Sequence, residues 1–420
     1  MKGFLTIFLN ECRAVVRSKT LPLLVFAGVA WMFAAPHFFT SDGTADGMRE
    51  MSIRYSLGGV AAMLSVSLLI SATGSIAKER AAKRLALTMV RPVRYFVIAL
   101  GKTLAYTVCG AVVLAVCAPI EYFRQPESVC RHVMKPIVPS LRQEAEEMYE
   151  YYMASSNTPA KVKATKKEVV LRLLANRAKD RYDAVETNSC WRWRFDFSDS
   201  GLDRGSGLNA RFRFSAGYGQ REEVIGTLGF GFRHAAVSNM TQAVVEVPLR
   251  PTDERHTAEG ELEFRNLGRT AVMLRPRMDV ELLTPADSFG WNLLRAYLEL
   301  TAMLSLLVSF GVFLGASLGR PAALFTAIAV LLLSEMAPSV IDQYADELES
   351  DKVDAVGLAI TRAAMTVTRP LSSLRPLEAL SLDECVESRE VASVMFVDLV
   401  GFPVLFALLA AFVIPRKQDN

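Results

Sequence analysis

Two long apolar stretches bracket a polar one. Residues 20–120 and 291–414 are strongly hydrophobic, whereas 121–290 is polar and charged. A helix that spans a bilayer needs about 20 mostly apolar residues, and five or six segments qualify: 21–40, 56–77, 97–120, 293–318, 321–341 and 391–414. The fifth and sixth are interrupted by Glu335 and Asp398. A cleaved signal peptide is the competing reading of the first segment, but its apolar stretch starts only after 20 residues and is longer than a signal core. Residues 1–19 set Phe4, Phe8, Leu9, Val15 and Val16 against Lys2, Glu11, Arg13 and Arg17, which suits an amphipathic helix lying in the cytoplasmic interface. The alternative is that they simply begin the first spanning helix.

The 121–290 insert changes period along its length. In 139–183 the pattern is helical: 141–153 is rich in Glu and Tyr, Thr158-Pro159 makes an N-cap and N1 pair, and Val170, Leu173, Leu174 and Ala178 recur at helical spacing. From Cys190 the period becomes two. Trp191, Trp193, Phe195 and Phe197 alternate with polar residues, as do Phe212 and Phe214, Leu228, Phe230 and Phe232, and Val245, Val247 and Leu249. Leu262 and Phe264, then Met278, Val280 and Leu282, continue the series. Six or seven short strands over 190–285 predict an antiparallel β-sandwich with one face in the core and the other wet and Arg-rich. The aromatic-plus-Arg pattern is read either as a face that binds sugars or polyanions, or as core on one side and solvated charge on the other.

The fold expected is therefore a polytopic α-helical membrane protein of six spans with an inserted extracytoplasmic α+β domain. Its parts are an interface helix at 1–19, spans one to three in 20–120, the outer domain at 121–290, spans four to six in 291–414 with an outer loop at 342–390, and a cytoplasmic tail at 415–420. Orientation follows from Lys and Arg in the short loops. Lys2, Arg13, Arg17 and Lys19, the six bases of 78–94, Arg320, and Arg416 with Lys417 all fall on one side. On the other side, 342–390 carries eleven acids and five bases. Both termini are expected in the cytoplasm, and the chain in the cell inner membrane.

Composition adds exclusions. The chain's 420 residues hold 47 Lys and Arg against 44 Asp and Glu, for a net charge of +3, too balanced for a nucleic-acid partner. Six cysteines with no CxxC pair give neither a disulfide framework nor a zinc site. A Cys130–Cys190 bond is the pairing considered if the insert lies outside the cell. His37, His132, His234 and His256 are scattered, so no metal or other cofactor is expected. Asn239-Met240-Thr241 is a glycosylation sequon whose meaning depends on the host compartment.

Two motifs resemble catalytic ones without their context. Gly101-Lys102-Thr103 looks like the end of a P-loop, but position 96 is Phe and the setting is the cytoplasmic end of an apolar helix. Lys102 is expected to snorkel to the interface, and the chain to hydrolyse no nucleotide itself. Gly315-Ala316-Ser317-Leu318-Gly319 matches G-x-S-x-G without a preceding strand, and Gly311–Gly315 also forms a G-x-x-x-G helix-packing pair. Ionisable residues at membrane depth are costly. Glu335, about 21 Å along span five at 1.5 Å per residue, and Glu299 with Arg295 at the start of span four are candidates for a translocation path. Mutual pairing or snorkelling is the competing reading of these residues and of Asp398.

The link between spans two and three runs Lys78-Glu79-Arg80-Ala81-Ala82-Lys83-Arg84-Leu85-Ala86-Leu87-Thr88-Met89-Val90-Arg91-Pro92. Leu85 and Met89 form an i, i+4 apolar pair on a basic helix that Pro92 stops. A short cytoplasmic helix there is placed to receive a push from a soluble partner. A merely solvated basic loop is the alternative.

In this segment the sequence resembles the permease subunits of type-2, exporter-class ABC transporters. Glu79, Arg80, Pro92, Gly101 and Lys102 match that family's motif at the end of span two, its coupling helix and the Gly-Lys opening of span three. The stretch from Pro370 to Leu380 resembles the family's Pro-rich segment before the last span, and 288–296 resembles the entry into span four in members with a large outer domain. The departure is that 81–90 is more basic than the usual coupling segment. The resemblance implies a subunit that is not itself an enzyme. It would dimerise with itself or a similar permease, dock separate ATPase subunits in the cytoplasm, and couple their ATP hydrolysis to transport, in the export direction. Glu79, Arg80, Lys83, Arg84, Leu85, Met89 and Pro92 would carry the coupling. Two readings from other classes stand beside it: a membrane-anchored binding or adhesion protein acting through its β-domain, and an integral-membrane hydrolase resting on Ser317 alone.

Overall fold

The computed structural model describes residues 2–39, 48, 50–81, 94–124, 129–138, 141–154, 167, 169–171, 173–174, 183–196, 207–216, 223–231, 233–240, 244–251, 260–275, 279–344 and 375–416. The helices in chain order are α1 (Lys2–Arg17), α2 (Thr20–Phe38), α3 (Gly58–Ala81, entered through a π-helical turn at Ser52–Leu57), α4 (Tyr95–Arg124), α5 (Leu141–Ala154), α6 (Phe289–Ser317), α7 (Arg320–Tyr344), α8 (Arg375–Ser381), α9 (Ser388–Phe396) and α10 (Phe402–Arg416). A second π-helical turn, Val397–Gly401, joins α9 to α10. The chain divides into two compact units, one of Met1–Cys130 with Asp287–Asn420 and one of Arg131–Ala286.

Among the described residues, the first unit is mainly helical, with the ends of β1 and β11 entering it. Among the described residues, five of its helical segments are long and apolar enough to cross a membrane: Thr20–Phe38, Ser52–Glu79, Tyr95–Arg124, Phe289–Ser317 and Val391–Ile414. They match five of the six expected spans to within a few residues, and the protein is membrane-embedded by that criterion. The expected fifth span falls on α7, whose described apolar part is the shorter Arg320–Leu332. The first two helices are separate. Lys19 takes a left-handed conformation (φ 61°) between α1 and α2, and the Ser18 hydroxyl donates to the Val15 carbonyl at 2.8 Å, so the last turn of α1 is closed by its own side chain.

The core of this unit runs along α3, α4 and α6. Leu64, Leu68, Ala72 and Ile76 of α3, Val113 and Leu114 of α4, and Leu304, Val308 and Val312 of α6 are buried in one cluster. Small residues set the approach. A Cβ on Gly315 would stand 2.3 Å from the Thr73 carbonyl oxygen, and one on Gly311 would meet Ala72 Cβ at 3.1 Å. The G-x-x-x-G pair is thus where α6 packs backbone-close on α3, which removes the G-x-S-x-G reading: Ser317 ends a helix, not a strand. Trp31 is fitted likewise, its indole donating to the Tyr55 carbonyl at 2.9 Å over Gly59, where a Cβ would lie 2.0 Å from its nitrogen.

The second unit holds most of an eight-stranded sheet and a three-stranded sheet. The strands are β1 (Val129–Met134), β2 (Asp183–Val185), β3 (Cys190–Arg194), β4 (Leu208–Arg213), β5 (Ser215–Ala216), β6 (Glu223–Phe230), β7 (Arg233–Met240), β8 (Val244–Pro251), β9 (Glu261–Asn266), β10 (Val272–Leu274) and β11 (Val280–Ser288). The large sheet runs β1-β11-β4-β8-β7-β6-β9-β3 and the small one β2-β10-β5. Val185 of β2 and Val272 and Leu274 of β10 share one core with Trp193, Phe212, Phe214, Leu228 and Phe264 of the large sheet and its flanks. Of the alternation read from the sequence, Trp193, Phe212, Leu228, Val247, Leu249, Leu262, Phe264, Val280 and Leu282 form the inward face of this sheet, whereas Trp191 is exposed and Phe197, Phe232 and Met278 lie outside the described residues. The two sheets are very unequal, so the expected sandwich takes the form of one broad antiparallel sheet closed on its inner side by a small one. On α5, Ala145 packs with Val170 and Leu174 in a small separate cluster. Thr158 and Pro159 lie outside the described residues.

The pairing considered from the sequence, Cys130–Cys190, is not the one that forms. Cys130 is bonded to Cys385, with the Cα atoms 5.3 Å apart, and Cys190 is a free, exposed cysteine. The reason is topological: β1 and β3 are opposite edges of the eight-stranded sheet, so Cys130 and Cys190 stand at its two ends.

Candidate functional site

The residues with most to say about function meet where α1, the end of α3 and the start of α4 come together. Gly101 lets α1 approach α4, since a Cβ there would meet Ile7 Cγ2 at 3.1 Å and the Phe8 backbone nitrogen at 3.7 Å. Lys102, the next residue, is 2 % exposed. Its ammonium donates to a Glu79 carboxylate oxygen at 2.8 Å and also to Glu11. Lys102 therefore does not snorkel outward. It lies in a joint between three helices, with two carboxylates around one ammonium, which compensates for taking the charge out of water. The same face of α4 continues through Tyr106 and Cys109, one and two turns on, both buried. The Cys12 and Cys109 thiols are within hydrogen-bonding reach, and burial pushes the Cys12 thiol above its ordinary value.

This joint frames the predicted coupling segment. Glu79 is on the last full turn of α3, and α4 begins at Tyr95. Of the predicted coupling residues, only Glu79 is described with its side chain. Arg80 is described as helical backbone alone, and Lys83, Arg84, Leu85, Met89 and Pro92 lie outside the described residues. The chain thus enters and leaves that segment next to a single charged joint that also holds α1.

A second polar joint closes the other ends of these helices. Glu121 of α4 is fully buried, paired with Arg124 at 3.3 Å and accepting from the Ser52 hydroxyl at 3.4 Å. Arg124 also donates to the Met32 carbonyl at 2.6 Å and lies over the Phe33 ring. Asn292, buried on α6, donates to the Glu384 carbonyl at 2.7 Å and accepts from the Val386 amide at 2.8 Å. Together with Cys385 it fixes the chain that leads into the last span.

The three candidate translocation residues do not share one fate. Arg295 pairs with Asp287 at 2.7 Å and reaches the Val386 carbonyl. Glu299 is buried on α6, and Asp398 is buried in the π-helical turn of the last span. Glu335 is on α7, with its side chain outside the described residues. Among the described residues, no group of three or more His, Cys, Asp or Glu is arranged to hold a metal.

Sequence reasoning named Glu79 and Gly101-Lys102 as motif residues but missed Glu11 as their partner, and it missed Glu121 and Asn292. For Glu121 the available signal was an ionisable residue at the end of an apolar run, which by itself marks a candidate functional group; no such signal marks Glu11 or Asn292. Comparison with known protein families, with curated proteins and with solved structures finds no match.

Proposed function

We propose that this chain is the membrane-spanning permease subunit of an ABC-type transporter, with six spans, both termini in the cytoplasm of a cell with the protein in its inner membrane, and the 121–290 domain on the opposite side. It binds no cofactor and hydrolyses no ATP. A separate ATPase subunit docks on the 78–92 segment, two permease copies or two similar permeases form the pathway, and the substrate moves outward. The observation that carries this reading is the Glu11–Lys102–Glu79 joint. At the two ends of the segment between α3 and α4, Glu79 and Lys102 tie the flanking helices to each other and to α1. ATP-dependent binding of the partner then favours one arrangement of that joint over another, and the differential affinity supplies the driving force.

The test is affinity purification of the full chain from its native host, followed by partner identification and an ATPase assay. Recovery of an ATPase with the wild type and its loss with Glu79→Lys or Lys83→Glu supports the proposal. Recovery of no ATPase, with both variants fully active in vivo, overturns it. The adhesion reading makes the opposite forecast: charge reversal in 78–94 is harmless, and deletion of 190–285 abolishes activity.

A further inference from the structure

The outward face of the large sheet carries a hollow with its own chemistry. Register places Arg192 of β3, Glu263 of β9, Gly229 of β6, His234 of β7 and Arg250 of β8 in one row across five adjacent strands. Directly opposed residues in antiparallel strands project from the same face, and the burial pattern agrees: Trp193, Leu228, Val237, Leu262 and Phe264, of the other parity, are buried in the core. The adjacent row on this face is Arg265, Thr227 and Ala236. Gly229 has no side chain, and Ala236 only a methyl, so the face is recessed there. The recess has a volume of about 420 Å³ and is lined by Thr227, Gly229, His234, Ala235, Ala236, Glu263 and Arg265.

Its charge is not that of a merely solvated strand face. The Glu263 carboxylate, 11 % exposed, is engaged by Arg192 Nε at 2.8 Å and by Arg265 Nη2 at 3.5 Å. One carboxylate thus serves two guanidiniums that are themselves more than half exposed, at 54 % and 56 %. Both keep N–H groups that no other described residue takes up. Arg250 closes the row on the far side of His234 and is exposed. The spacing between strands puts Arg192 and Arg250 about 19 Å apart along the row, with the hollow between them. The lining offers a hydroxyl, an imidazole and a carboxylate beside surplus positive charge, and the volume lies within the roughly 300–1,000 Å³ range of small-molecule sites.

We propose that this hollow binds an anionic saccharide, a sugar bearing a phosphate or a carboxylate. The guanidiniums take the anionic group in charge-assisted hydrogen bonds, and Thr227, His234 and Glu263 take ring hydroxyls over the Gly229 floor. The site lies wholly within the second unit and does not depend on the coupling reading.

The test uses the full chain in detergent, with binding followed by calorimetry. Glucose 6-phosphate and glucuronate are the probes, and glucose and inorganic phosphate the controls. The expected result is saturable binding of both charged sugars, weaker binding of phosphate alone, and none of glucose. Gly229→Val fills the hollow without touching a charge, and Arg265→Gln removes a guanidinium without filling it. Each weakens binding about tenfold or more with an unchanged melting profile. Absence of binding by both charged sugars, phosphate alone binding as tightly as glucose 6-phosphate, or wild-type affinity in both variants overturns the proposal.

Discussion

The Lys102 ammonium lies 2.8 Å from a Glu79 carboxylate oxygen, joining the first turns of one spanning helix to the last full turn of the one before it. Lys102 is enclosed, whereas Glu79 is about one-third exposed. Removing the ammonium leaves Glu11 and Glu79 facing each other without compensation. Breaking a buried pair in this way costs about 3–5 kcal/mol. Lys102→Met is expected to destabilise the chain by about 3 kcal/mol at the lower end of that range, read by SDS titration in mixed micelles. Glu79→Gln has a smaller effect, because Glu11 remains, and in the Lys102→Met background it adds little. Additive losses in the double variant would show that the two side chains do not act together.

Gly315 makes a sharper steric forecast. Its missing Cβ is what admits the Thr73 carbonyl, so Gly315→Ala must push α3 and α6 apart, at a cost of about 1–3 kcal/mol. Gly319, four residues on, has nothing within 4 Å of where a Cβ would be, and Gly319→Ala is the matched control. Thermal unfolding of the two variants in the same detergent should separate them clearly. Equal melting temperatures would mean that the close crossing does not exist.

The Cys130–Cys385 bond closes a loop of 255 residues. Cross-links across loops this long stabilise chiefly by restricting the unfolded chain, typically by about 2–4 kcal/mol. Cys130→Ser, Cys385→Ser and the double variant are expected to lose the same amount, since each removes the same single bond. A non-reducing mobility shift should be present in the wild type, unaffected by Cys190→Ser and absent in all three variants.

Cys12 and Cys190 differ in setting. Burial raises the Cys12 thiol above its ordinary value, so less thiolate is present at neutral pH and its alkylation is slow. Its maleimide labelling rate, resolved by mass spectrometry, is expected to keep climbing with pH beyond the point where an ordinary thiol levels off. Cys190 is exposed on an edge strand and labels readily. In intact cells an impermeant maleimide should reach Cys190 and not Cys12, which is the orientation proposed above. Labelling of Cys12 from outside would reverse it.

Much of the architecture was legible because it follows from one-dimensional pattern. Apolar runs of sufficient length gave five helices within a few residues of their bounds, and a period of two gave the inward faces of β4, β6, β8 and β9. Strand β7 was not legible: Arg233, His234, Ala235, Ala236 and Val237 offer no alternation of large apolar residues, and this strand is held by its pairing to β6 along its whole length. The candidate site was half legible. Glu79 and Lys102 stood out through the motif the sequence resembles, whereas Glu11 is one acid on an amphipathic helix and nothing local marks its partner.

The sequence by itself determined which segments leave water and which face of each strand is buried, because transfer of apolar surface depends on composition and period alone. Only the tertiary structure decided the pairings: Lys102 with Glu11 and Glu79, Gly315 with Thr73, and Cys130 with Cys385 rather than Cys190. Each joins residues that are distant in the chain, and the order in which helices pack and strands line up in a sheet is a property of the whole fold, which no local spacing encodes.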